Sequence, residues 1–216
     1  MPRSSLAPSE IVLLCGDVFA PAETSGGLAE IISGKSAIVA AEPLGRAILG
    51  MAILAAEQAR SITLEQSRSQ GPLAGYVKAL FAEPAHSPVE WPRDSLEGSI
   101  ALIATNLGKT RGGNTIANLV VALLTDDSPS PWEYVLYRVK WGLESRGLLS
   151  STGVTNPSLF RGKDWVLPPE TAKNLQEQPV GMLREILTDC ERKRPEVWKL
   201  LNEDIERAIE RRRQRE

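Results

Sequence analysis

The chain has 216 residues, of which 42% are hydrophobic and 24% are charged, and this composition is that of an ordinary globular protein rather than a largely disordered one. Its formal net charge of −2 provides no strong overall attraction for nucleic acid or for an anionic membrane, so binding to either would need a local patch. The longest apolar run, residues 47–56, is shorter than the roughly 20 residues that a membrane-spanning helix requires.

The sequence also bears on localisation. No basic cluster precedes the short apolar run at 11–15, so an export signal is not indicated. The two cysteines, Cys15 and Cys190, lie near opposite ends of the chain in apolar or helical contexts, which indicates free thiols in a reducing compartment. We therefore expect a cytoplasmic protein, either free or peripheral to a membrane.

In the first half of the chain the clearest element is the helix that Pro43 opens and that ends near Arg60, because proline suits the first turn of a helix. Apolar side chains follow at helical spacing, namely Leu44, Ile48, Met51 and Ala55. The other elements predicted up to residue 66 are an apolar element at 10–15, a loop at 18–27, a helix at 28–33, a segment at 36–41 that suits helix or strand, and a strand at 61–66.

In the second half a Pro-punctuated stretch at 67–95 leads to a helix at 95–106 that Ser95 is predicted to cap. Ser130 and Pro131 then predict the cap and first turn of a central helix that ends near Arg146. The other predicted elements are a Gly-rich loop at 108–114, an apolar helix at 115–124, a short β element at 159–167 and helices at 170–193 and 195–215.

Together these elements predict a mainly α fold, with a single compact helical domain over 10–190 and one or two short β-hairpins. Residues 1–9 are predicted to be a flexible N-terminus. Residues 191–216 are predicted to form a charged C-terminal helix, in which Glu206 lies at helical spacing from Glu210. A solvated helix and a contact with an anionic surface are both compatible with that segment.

Motifs of catalysis are poorly represented. A phosphate-binding loop at Gly108-Lys109-Thr110 would need a glycine where Ile103 stands, and an Arg-Gly-Gly sequence comes next instead of a helix. His86 is the single histidine, so a Ser-His-Asp arrangement or a zinc site would have to be built on one loop residue. We therefore expect a non-enzymatic protein without a cofactor or a metal.

The central helix carries the most informative pattern. Its aliphatic stripe consists of Val135, Val139 and Leu143, with Trp132 and Leu136 at the edge. Tyr134, Tyr137 and Trp141 lie on roughly the opposite side, and Arg138 falls between these rings. Aromatic rings interleaved with a basic group suit a membrane interface, where arginine meets phosphate, and they also suit stacking on nucleic-acid bases.

Three interpretations of this helix stay open. It could be a membrane-facing or protein-binding surface, or the recognition helix of a winged-helix DNA-binding regulator with residues 159–167 as the wing. With three Lys/Arg and two Asp/Glu over 132–146, nucleic acid is the less favoured partner. The third interpretation is a purely structural interaction module that is docked by its C-terminal helix. The central helix itself could also be buried on two sides within a helical domain, with Arg138 paired to a carboxylate.

In order, these elements resemble the Golgi phosphoprotein 3 family, including its bacterial homologues. Leu6–Leu14 matches the family's opening L-x-x-x-E-x-x-L-L-L pattern, and the segments at 44–60 and 62–65 match the family's first long helix and the short strand after it. Tyr137–Leu149 is similar to the later R-x-x-L-x-x-L-x-x-(R/K)-G-(V/L)-L helix, which precedes a hairpin and a further helix. The resemblance covers about residues 6–190.

The resemblance implies a compact, mostly helical fold and binding rather than catalysis. Eukaryotic members of the family bind phosphatidylinositol 4-phosphate on membranes and the cytosolic tails of enzymes. Arg138 matches a basic headgroup-binding position, and Arg46 lies near the basic position of the first helix. Lys140 and Trp141 are added from the aromatic and basic pattern of the central helix. The expected ligand-binding residues are Arg138, Lys140, Trp141 and Arg46, and the expected partner is an anionic membrane lipid or a protein.

Overall fold

The computed structural model describes residues 5–22, 28–30, 38–70, 76–85, 89–110, 113–124, 130–152 and 164–213. Over these residues the fold is mainly helical with short antiparallel strand pairs, which confirms the predicted fold class. The helices are α1 (Pro8–Leu14), α2 (Gly16–Phe19), α3 (Ala41–Gln58), α4 (Leu96–Leu107), α5 (Ile116–Leu123), α6 (Pro131–Ser145), α7 (Pro169–Gln176), α8 (Val180–Lys193) and α9 (Pro195–Arg213). The strands are β1 (Leu28–Glu30), β2 (Ile38–Ala40), β3 (Ile62–Gln70), β4 (Tyr76–Pro84), β5 (Ser150–Thr152) and β6 (Asp164–Val166), paired in that order as β1–β2, β3–β4 and β5–β6.

Helix α3 forms the centre of the core and packs against α1, α4, α6 and α8. Pro43 is its third residue, where the backbone N–H has no intrahelical acceptor and its absence costs nothing. The predicted apolar face is buried, with Leu44, Ile48, Met51 and Ala55 each at most 4% exposed. The predicted helix after Pro43 is thus confirmed.

Helix α6 is buried on two sides. Pro131 opens it, and the predicted stripe of Val135, Val139 and Leu143 is at most 2% exposed, as is expected of side chains that face α3 and α1. Trp132 and Leu136 are also buried. Ser130 takes the cap position as predicted, although its side chain makes no capping hydrogen bond. One narrow face of α6 is left for the solvent.

Strands β3 and β4 form a hairpin where the sequence predicts only a single strand at 61–66. Nine residue pairs join them, from Ile62 with Pro84 to Gln70 with Tyr76. The outer edge of β4 is held from outside the hairpin, because the Asp204 carboxylate accepts the Leu80 N–H at 2.9 Å. These edge partners lie far away in the sequence, so a local pattern at 67–84 does not show the second strand.

Two predicted helices are wrong in whole or in part. The segment predicted as a helix at 28–33 begins with strand β1, which pairs with β2 in the segment that suited either structure. The helix predicted over 170–193 is two helices, α7 and α8, because Pro179 lacks an N–H and would clash inside a continuous helix. The loop predicted at 18–27 begins inside the short helix α2.

The C-terminal helix α9 contributes to the core instead of lying on the surface as a solvated helix. It packs against α5, α8 and β4. Seven of its residues are buried, namely Val197, Leu200, Leu201, Asp204, Ile205, Ala208 and Ile209. Its charged residues lie mostly on the opposite face, so the solvated interpretation holds for that face only.

Among the residues that the structure describes, none of the helices has the length and apolar character needed to cross a membrane.

A close approach fixes α6 against the turn at 91–95 and provides a test of the fold. A Cβ added at Gly142 would lie 2.4 Å from the Asp94 carbonyl oxygen, so we expect Gly142→Ala to lower the free energy of unfolding by about 1–3 kcal/mol. Gly181→Ala is the matched control, because a Cβ there meets nothing within 4 Å. This substitution should raise the free energy of unfolding by about 0.5–1 kcal/mol. Urea denaturation measures both; equal stability of the two variants would contradict this packing.

Candidate functional site: a cleft between three helices

A cleft of about 500 Å³ lies between α4, α5 and α6. Its lining comprises Ser99, Leu102 and Ile103 from α4, Ala122 and Leu123 from α5, and Tyr134, Tyr137, Arg138 and Trp141 from α6. Apolar and aromatic side chains dominate, and Arg138 is the one charged side chain among these nine. This combination is typical of a ligand site, in which a few polar groups orient a mostly apolar molecule.

Helix α6 places its four residues along one face because they follow at i, i+3, i+4 and i+7. Exposure increases along this face, from buried Tyr134 through half-buried Tyr137 and Arg138 to Trp141, which is 40% exposed. The predicted aromatic and basic strip is therefore present, and it forms one wall of the cleft.

The opposite wall was not predicted from the sequence. Ser95 accepts a hydrogen bond from the Gly98 N–H and starts α4 as predicted, but α4 was not assigned to a site. Ile100 and Ala104 of α4 face the core, whereas Leu102 on another side of the helix is 63% exposed. The sequence of α4 does carry a signal for this wall, because the helix is apolar around most of its circumference. One of its apolar faces must therefore contact something other than the core.

Arg138 differs from three other partly buried arginines of the described chain. Its guanidinium carbon lies 4.7 Å from the centroid of the Trp141 ring. Among the described residues no carboxylate pairs with it, whereas Arg46 pairs with Glu206, Arg146 with Glu10 and Arg207 with Asp204. A stacked arginine without a counter-ion retains its capacity for a bidentate bond to an external carboxylate or phosphate.

The structure does not bring the four predicted site residues together. Arg138 and Trp141 share the cleft. Lys140 lies on a different side of α6, with its ammonium 5.7 Å from the centroid of Trp165. Arg46 belongs to α3, where it stacks 5.2 Å from the centroid of Trp132 and pairs with Glu42 and Glu206. Lys140 and Arg46 are thus outside the cleft lining.

A buried cluster of charges holds the C-terminal end of α6. The Arg146 guanidinium donates to the Glu10 carboxylate and, at 3.0 Å, to the Ser5 carbonyl. The Glu97 carboxylate of α4 accepts from the Ser9 backbone N–H at 2.8 Å and from the Ser9 hydroxyl at 2.9 Å. Both glutamates are at most 1% exposed, so the N-terminal segment, α4 and α6 meet in one nearly dry cluster.

Burial changes the acidity of this cluster. Desolvation, with the neighbouring Glu10 charge as a second cause, raises the pKa of Glu97 to about 7, against the lowering effect of the Ser9 hydrogen bonds. Desolvation also raises the pKa of Glu10, while the adjacent Arg146 opposes that rise. Elsewhere, burial raises the pKa of the Cys190 thiol, which makes it a weak nucleophile.

Other predicted features have simple placements. His86 and two residues of the Gly-rich loop, 111–112, lie outside the described residues, as do residues 159–163 of the β element predicted at 159–167. Among the residues that the structure does describe, no group of three or more His, Cys, Asp or Glu side chains is arranged to hold a metal ion. Cys15 and Cys190 are both free thiols, as predicted.

Comparisons of the chain with models of protein families, with curated proteins and with solved structures give no match. The resemblance to the Golgi phosphoprotein 3 family therefore stays a prediction from the sequence motifs.

The Glu97 carboxyl should make stability depend on pH. Since its pKa is raised from about 4.5 to about 7 on folding, the folded state holds the proton more tightly, and stability falls as pH rises through this window. The shift corresponds to roughly 3 kcal/mol. Glu97→Gln retains the acceptor for the Ser9 N–H without the charge, so we expect it to lose this dependence and to exceed the wild type in stability above pH 7.

Urea denaturation at intervals from pH 4.5 to 8 measures this effect as the difference between the two proteins, which removes the contribution of titrating groups that do not interact with Glu97. A difference that does not change with pH would contradict the assignment of the proton to Glu97.

Proposed function

We propose that this protein is a non-enzymatic, mainly helical adaptor that attaches to anionic membrane surfaces through the cleft between α4, α5 and α6. The observation that carries the proposal is Arg138, which stacks on Trp141 in an apolar cleft and pairs with no described carboxylate. The sequence resemblance supports the same class of function, since Arg138 matches a headgroup-binding position.

The chemistry of the cleft rim suits the interface of a bilayer. Arginine binds lipid phosphate through paired N–H donors, and tryptophan places its ring at headgroup depth with its polar edge toward water. Leu102 and Trp141 project from opposite walls of the cleft as exposed apolar side chains. Arg138 between them would then lie at the depth of the phosphates.

The magnitudes indicate weak and reversible attachment. One basic residue near an anionic surface contributes about 1 kcal/mol, and the chain as a whole is slightly acidic. Burial of a leucine or tryptophan side chain adds about 1.5–3 kcal/mol. Apolar insertion must therefore contribute at least as much as charge, so Leu102 belongs to the membrane-binding surface as well as Arg138.

The winged-helix alternative fits the structure less well. A recognition helix must present most of one face to the major groove, whereas α6 buries eight of its residues in the core. Two of the three basic residues at 132–146 are also engaged, because Arg146 pairs with Glu10 and Lys140 lies against Trp165. The idea of α9 as a free docking arm meets a similar objection, since seven of its residues are buried.

Vesicle flotation tests the contribution of the Arg138 charge to membrane binding. We expect the wild type to float with vesicles that contain phosphatidylserine and to float less with neutral phosphatidylcholine vesicles. Arg138→Gln should weaken the binding to acidic vesicles roughly fivefold, the equivalent of about 1 kcal/mol, and added salt should reduce the difference. Arg184→Gln, an exposed arginine on α8, is the control. Equal loss in the two variants, or equal flotation of the wild type with neutral vesicles, contradicts the proposal.

A second pair of variants tests the contribution of exposed apolar side chains to vesicle binding. Leu102 and Met182 are almost equally exposed, at 63% and 64%, but Met182 lies on α8 outside the cleft lining. We expect Leu102→Ser to weaken vesicle binding about tenfold at any salt concentration, the equivalent of about 1.5 kcal/mol of lost burial. Met182→Ser should bind as the wild type does, and a similar loss in both variants would place the membrane-facing surface elsewhere.

A further inference from the structure

We infer that the cleft between α4, α5 and α6 takes up a whole single-chain amphiphile, with a carboxylate or phosphate head at Arg138 and a hydrocarbon chain between the helices. The inference rests on the anion site at Arg138 in the proposed function and goes beyond it. Attachment to a bilayer needs only the rim of the cleft, whereas uptake of a chain uses its interior.

The distribution of polarity in the cleft favours such a molecule. The charge and both tyrosine hydroxyls belong to α6, while α4 and α5 contribute Leu102, Ile103, Ala122 and Leu123. The one hydroxyl from α4, that of Ser99, already donates to the Ser95 carbonyl at 3.0 Å. A purely polar anion would leave this apolar wall in contact with water. A purely apolar ligand would cover the Arg138 guanidinium without providing a counter-ion, which is costly for a desolvated charge. A molecule with a charged head and a hydrocarbon chain provides a counter-ion for Arg138 and also covers the apolar wall.

The size of the cleft favours a small organic molecule over an inorganic ion or a folded protein. A volume of about 500 Å³ lies within the roughly 300–1,000 Å³ of small-molecule sites and is far more than an inorganic phosphate fills. Stable protein interfaces involve about 20–30 residues on each side, whereas nine residues line this cleft. A small amphiphile therefore matches the cleft better than a folded partner.

The cleft also has an entrance. Leu102 and Trp141 are the most exposed residues of the lining and come from opposite walls, so the cleft opens to solvent between them. An amphiphile that enters chain first would bury its methylenes against Ile103 and Leu123 and leave its head beside Arg138. Each buried methylene should then tighten binding about fourfold.

Isothermal titration calorimetry on the full chain tests this inference with hexyl, octyl and decyl phosphate, each below its critical micelle concentration. Decanoate replaces the phosphate head by a carboxylate, decyl glucoside removes the charge, and inorganic phosphate removes the chain. We expect the affinity to rise about fourfold per methylene, decanoate to bind, and the glucoside and inorganic phosphate to bind much more weakly. An affinity that does not depend on chain length overturns the inference, and this result needs no variant.

Two substitutions locate the binding. Ala122→Phe should fill the cleft and reduce the affinity for decyl phosphate at least tenfold, whereas Thr188→Phe, the same bulk on an exposed position of α8, should leave it unchanged. Arg138→Gln should weaken binding of the phosphate and carboxylate ligands but not of the glucoside. Unchanged affinity in Ala122→Phe, with thermal denaturation showing a folded protein, overturns the inference.

The same proteins separate this inference from the membrane proposal. Vesicle flotation that depends on Arg138, without binding of monomeric alkyl phosphates, overturns the amphiphile site and leaves the membrane function in place. Binding of alkyl phosphates with the expected dependence on Ala122 and Arg138, without flotation, supports the amphiphile site and overturns membrane attachment.

Discussion

The position of α6, and with it the cleft, depends on the buried contact between Arg146 and Glu10. Removal of one partner from a buried ion pair typically costs about 3–5 kcal/mol, because the remaining charge has no solvent to stabilise it. Here the pair also recruits the Ser5 carbonyl, and Glu97 lies close enough for its charge to interact with that of Glu10. These bonds join three segments that are distant in the sequence, because Ser9 links the N-terminal segment to Glu97 of α4 and Glu10 links it to Arg146 at the end of α6.

That arrangement gives different surroundings to Arg138 on α6 and to Arg146, the C-cap residue of the same helix. Arg146 lies about two turns beyond Arg138, or roughly 12 Å along the helix axis. At its position it meets Glu10, whereas Arg138 meets the Trp141 ring and the apolar wall from α4. The close contact of Gly142 with the Asp94 carbonyl fixes the helix between the two positions, and Asp94 adopts the left-handed backbone that this turn requires. The Glu10 carboxylate thus neutralises Arg146, whereas none of the described carboxylates pairs with Arg138.

The sequence predicted those features of the fold that depend on residues close together in the chain, such as helix starts and apolar helix faces. Pro43 and Ser95 marked the starts of α3 and α4, and the stripe through Val135 placed α6 in the core. The sequence did not reveal features that depend on distant partners. The outer edge of β4 bonds to Asp204, and the buried Glu97 carboxylate bonds to Ser9. Helical spacing alone could not show that Lys140 would lie against Trp165 instead of beside Arg138. One wall of the cleft was therefore visible in the sequence, and the other required the fold.

The two proposed uses of the cleft compete for the same groups. Arg138 can form its bidentate bond with one anion at a time, and a chain held between Leu102 and Trp141 covers the apolar surface that would insert into a bilayer. If both proposals hold, an amphiphile in the cleft and a membrane bind to the same protein with negative coupling, and this coupling must act equally in both directions. Since one arginine and two apolar side chains give only weak attachment, even a moderate ligand affinity would be enough to release the protein from the membrane.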